Sequence, residues 1–102
     1  MSDELAHLVE SLATEAGDVT SKRIASGIEY VRHGQPIAAV GGAAVELRLL
    51  LDVAEAARRT PDTGPSRRGD EWVRFAPSAW DEHATDRLEA WFRVAWRFAG
   101  EG

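Results

Sequence analysis

The residues best equipped for chemistry are three histidines and the carboxylates around them. Glu4 and His7 stand three apart, the Glu-x-x-His spacing with which helical bundles hold two metal ions when two helices carry it and two others each add a glutamate. Here the spacing occurs once, since Tyr30 stands three residues before His33 and Trp80 three before His83. The run Asp81, Glu82, His83, Asp86 and Glu89 is rich in potential ligands, but its members alternate between helix faces, and acids at a helix start already suit the dipole there. His83 has no nucleophile spaced beside it and reads as a core or rim histidine. The chain has no cysteine, which excludes disulfides, thiolate catalysis, cysteinyl zinc sites and iron-sulfur clusters. GPSRRG, residues 64–69, lacks both the spacing and the lysine of a phosphate loop, and no serine elbow or triad can be assembled. These absences predict a protein that is not an enzyme, with no metal and no cofactor.

The elements that would position any site come next. At 102 residues the chain is expected to form one domain over 1–102, with a single core. Its 44% apolar and 28% charged residues are those of an ordinary globular protein, and no stretch is apolar for long enough to cross a bilayer. The N-terminal MSDELAHLVESLATEAG is acidic and amphipathic, without the basic and apolar regions of a secretory signal, so a cytoplasmic location is expected. Abundant arginine and alanine beside a single lysine suggest a GC-rich bacterial genome.

Apolar periodicity predicts an all-α fold, an irregular four-helix bundle. Leu5, Leu8, Val9, Leu12 and Ala16 give a first helix over about 3–16, stopping at Gly17. Ile24, Ile28 and Val31 suggest a second over 21–33, closed by Gly34. Pro36 suits a first helical position, and a third, mostly buried helix is expected over 36–59. The segment TPDTGPSRRGD, residues 60–70, is expected to be a mobile loop. EWVRF then alternates as an extended lead-in, with Trp72 and Arg74 on one side and Val73 and Phe75 on the other. The last helix is expected over 78–99, started by Ser78 and Asp81.

That last helix is rich in aromatic residues, and its apolar arc is wider than one neighbour requires. Most of the arc is expected to fill space opposite the alanine-rich third helix. Phe92 and Trp96 at its edge, with Arg93 and with Trp72 from the lead-in, form the candidate partner-binding surface, since aromatic residues and arginine are enriched at interfaces. Glu46 and Arg87 both intrude on apolar arcs and are expected to form a buried polar pair. The net charge of −5 suits a basic protein partner more than a phosphate backbone, and self-association would also use the aromatic surface.

Two resemblances extend this reading. LATEAGDVTSKRIASGIEYV, residues 12–31, resembles the helix-turn-helix of bacterial repressors, with one extra residue, Asp18, in the turn. It implies a DNA-binding alternative in which Lys22 and Arg23 touch phosphate. IEYVRHGQPIAAVGGAAVEL, residues 28–47, resembles the helix-glycine-acid-helix junction of small helical bacterial immunity proteins of contact-dependent and polymorphic toxin systems. Ile28, His33, Gly34 and Ala39 follow that pattern, whereas Gln35 and Gly41 replace acids. This resemblance implies a cytoplasmic inhibitor that acts by binding. The resulting expectation is a non-catalytic protein-binding module, an inhibitor or accessory subunit, with a DNA-binding regulator or a structural homo-oligomer as alternatives.

Overall fold

His33 and Gly34 adopt φ of 52° and 80°, the left-handed geometry that a two-residue hairpin turn of type I′ needs at both central positions. Such a turn reverses a strand, and it sets the architecture of the first half of the chain. In a computed structural model that describes residues 3–101, the elements run α1 (Asp3–Ala16), β1 (Val19–Ile24), β2 (Gly27–Arg32), β3 (Gln35–Gly41), β4 (Ala44–Arg48), α2 (Leu51–Ala57), β5 (Thr63–Ser66), β6 (Gly69–Phe75) and α3 (Glu82–Glu101). The fold is α+β, with six strands in one antiparallel sheet, which overturns the all-α bundle. The second helix expected over 21–33 and most of the third over 36–59 are replaced by β1 to β4, leaving only the short α2. Residues 60–70 hold β5 and the start of β6 instead of a mobile loop.

The sheet order is β1-β2-β3-β4-β6-β5. Two-residue turns join β1 to β2, β2 to β3, β3 to β4 and β5 to β6, while α2 carries the chain out to the far edge so that β6 returns between β4 and β5. Pro36 sits in β3 opposite Val31, at a register shift in the β2–β3 ladder, where a missing N–H is tolerated. Pro65 lies in the edge strand β5, beside a second shift.

Alternation along the strands sorts their side chains between two faces. Ile28, Val40, Val45 and Phe75 are in register across one face, as are Tyr30, Ala38, Leu47 and Val73. These residues join Leu5, Val9 and Leu12 of α1, Ala54 and Ala57 of α2, and Leu88, Phe92, Ala95 and Ala99 of α3 in one apolar core. All three helices therefore contribute to the same side of the sheet. Over β6, Trp91 of α3 and Trp80, which stands just before that helix, meet Phe75 edge-on at centroid distances of 5.0 and 5.4 Å. The other face carries the row Lys22, Glu29, Ala39, Glu46, Arg74 and Gly64, one residue from each strand. No described helix is long and apolar enough to cross a membrane.

Candidate functional site

The C-terminal half of α3 lies beside the end of α1, and the two helices enclose a groove of about 330 Å³ lined by Leu12, Glu15, Ala16, Phe92, Arg93, Trp96 and Arg97. Phe92 is only 1% exposed and belongs to the core, so it forms the groove's floor and does not project as an anchor. Trp96 is half-buried and heavily engaged. Its indole N–H donates to the Gly17 carbonyl at 2.9 Å, and its ring lies beneath the Arg32 guanidinium, 3.6 Å from the centroid. Arg93 is exposed and pairs with Glu89 one turn earlier at 2.9 Å, while Arg97 is exposed without an ion pair among the described residues.

Arg32 explains why this end of α3 is built as it is. It is 8% exposed, donates from Nη1 to the Trp96 carbonyl at 2.7 Å, and lies 3.9 Å from the Asp18 carboxylate. A cation near the last carbonyls of a helix meets the negative end of its dipole. Gly100 provides the space, since a Cβ there would stand 2.1 Å from Arg32 Nη1. Gly100 thus lies inside α3, which runs to Glu101. Glycine at this position and arginine in β2 were the available signals, but neither is interpretable without knowing that strand and helix meet.

Trp72 does not share the groove. It is in β6 on the face away from the core, 5.0 Å from the Arg68 guanidinium and 7% exposed. The expected Glu46–Arg87 pair is also absent, because the two residues serve opposite sides of the sheet. Glu46 accepts from the Ser66 hydroxyl at 2.5 Å and lies 3.6 Å from Arg68 Nε. Arg87 donates to Thr60 Oγ1 at 2.6 Å and to the Pro61 carbonyl at 2.8 Å, and covers Phe75 and Trp91. Each intruding charge finds its hydrogen-bond partners in the segment 60–70, which is ordered.

Arg68 ties the β5–β6 tip across the sheet. It pairs with Glu29 at 2.9 Å as well as with Glu46, passing over Ala39, which stands between them in the row. Burial pushes the Glu29 carboxyl up, but hydrogen bonds and charge from Arg68 and Lys22 outweigh it and hold the group below its ordinary value. On the core face, the Tyr30 hydroxyl donates to Glu10 at 3.2 Å. Burial, then the Glu10 charge and this bond, push the phenol up to about 12.

Lys22 and Arg23 lie in the edge strand β1, and Lys22 pairs with Glu29 at 3.4 Å. The stretch resembling a helix-turn-helix has α1 ending at Ala16 followed by β1 and β2, so it contains no recognition helix. The stretch resembling the immunity-protein junction forms most of β2, with β3 and most of β4. His7 is in α1, His33 in a turn and His83 at the start of α3, and no three His, Asp or Glu among the described residues gather as a metal site. Compared with protein-family models, curated proteins and solved structures, the chain matches none.

Proposed function

We propose that this is a non-catalytic protein-binding module, an inhibitor or accessory subunit acting in the cytoplasm, and that its partner docks in the groove between α1 and α3. The observation that carries this reading is the convergence of Phe92, Arg93 and Trp96 on one groove with Leu12 and Ala16. An apolar floor with charged rims is the pattern of a protein interface. Its volume of about 330 Å³ is room enough for side chains of a partner segment to enter. Arg97 on one rim favours a carboxylate on that segment, and Glu15 on the other favours a basic group. The acids of α1, Glu4, Glu10 and Glu15, would raise the encounter rate with a basic partner more than the affinity.

Trp96 is a poor residue for testing this, since its ring and N–H hold Arg32 and Gly17 in place. Arg93 and Arg97 are exposed, so Arg93→Glu with Arg97→Glu is expected to leave the fold intact. In a tagged pull-down from host lysate, a stoichiometric protein should be retained by the parent chain and lost by this double variant. A partner held equally by both chains, or none above the bead background, would sink the groove reading.

A further inference from the structure

The face of the sheet away from the core gathers positive charge in a chain whose net charge is −5. Beneath the β5–β6 tip lies a hollow of about 470 Å³ bounded by Ser26, Glu46, Pro65, Arg67, Arg68 and Arg74. The three arginines differ in what they already hold. Arg68 is engaged with Glu29 and Glu46, which fixes the tip over the sheet. Glu46 has Oε2 occupied by the Ser66 hydroxyl and Oε1 facing Arg68, so its charge is met within the protein. Arg67 and Arg74 are exposed and have no ion pair among the described residues.

The β1–β2 turn also borders the hollow, through Ser26. A Cβ on Gly41 would stand 2.4 Å from the Ser26 carbonyl oxygen, so glycine there lets the turn lie against the end of β3 and brings Ser26 to the rim. Arg67, Arg74 and Ser26 then border one space. Arginine's planar donor fork suits oxyanions, and a doubly charged group with three or more oxygens can engage two forks, whereas a single carboxylate is satisfied by one. The hollow's volume also falls within the range of small-molecule sites, larger than an oxyanion alone requires.

We infer that this hollow binds a phosphate group, free or esterified to a small molecule, with Arg67 and Arg74 as the charged donors and Ser26 as a hydroxyl donor. The site shares no residue with the α1–α3 groove, so the two readings stand or fall separately.

The test is calorimetric titration of the full chain with inorganic phosphate and, in a second arm, with ribose 5-phosphate, at matched ionic strength. Saturable binding is expected, weakened roughly tenfold by Arg67→Ala and again by Arg74→Ala, the loss typical of a hydrogen bond to a charged group. Arg59→Ala, which removes an exposed charge outside the hollow, should leave it unchanged. Tighter binding of the ester identifies a phosphorylated small molecule as the ligand, and equal binding identifies the free oxyanion. Failure of both probes to saturate overturns the proposal. So does binding that survives Arg67→Ala and Arg74→Ala, or that Arg59→Ala weakens equally.

Discussion

Tyr30 is the chain's single tyrosine, which makes its protonation readable without interference. The folded phenol is pushed up to about 12, by burial first and by the Glu10 carboxylate second, from an ordinary value of 10.0. The sign of the linkage follows directly. Above about pH 10 the unfolded chain releases this proton while the folded chain retains it, so stability is fully present below that pH and falls through the window up to about 12. Tyrosinate absorbance should therefore rise with a midpoint near 12 in the folded protein, and Glu10→Gln should bring it part of the way back, since burial remains. A midpoint near 10 in the folded chain would mean that Tyr30 is not buried against Glu10. Nothing in the sequence marked this pair, because Glu10 and Tyr30 are twenty residues apart and meet only when β2 lies under α1.

At the scale of elements, glycines decide between structures that look alike in sequence. A left-handed glycine ends a helix, and it also completes a hairpin turn, so Gly34 after an apolar run is consistent with either. Strand β3 adds to the ambiguity. Ile37, Ala38 and Val40 are buried in the core, Ile37 as the extra residue at the β2–β3 register shift, and Ala39 is buried on the other face, where Arg68 of the β5–β6 tip reaches across to Glu29 and Glu46. A strand buried on both faces does not alternate, and an alanine-rich apolar run then reads as helix. By contrast, the first helix and most of the last were legible, since α1 and α3 each bury one stripe at helical spacing. The alternation of β6 was legible too, with Val73 and Phe75 on the core side, but its partner β4 carries a helix-like apolar pattern and its partner β5 a loop-like one. The glycines themselves can test the hairpins. A Cβ on Gly27 would stand 1.8 Å from the Val40 carbonyl oxygen at φ +149°, whereas Gly34 at φ +80° has nothing within 4 Å. Gly34→Ala should cost about 1–2 kcal/mol, the left-handed penalty alone. Gly27→Ala should cost at least roughly 2 kcal/mol more, since backbone must also move. Urea unfolding midpoints that fall equally for the two variants would contradict the close β2–β3 approach.

At the scale of the whole molecule, the layering predicts where the fold is held most firmly. Strands β3 and β4 are paired on both sides and lie under the helices, whereas β1 and β5 are the two edges. The edges are guarded differently. Strand β5 is short and carries Pro65 beside a register shift, while β1 offers six residues with Lys22 and Arg23 among its exposed positions. Proline and edge charge both discourage pairing with another chain, but only proline removes a donor outright. Amide exchange should therefore be slowest in Ala38–Val40, in Val45–Leu47 and along α3 from Leu88 to Ala95, and fast at the outward-facing amides of β1. If β1 exchanged as slowly as β3, its free edge would have to be covered in solution. A second copy pairing along β1 would do this by extending the sheet, and protection that faded on dilution would identify it, since an edge covered by the same chain would stay protected at every concentration.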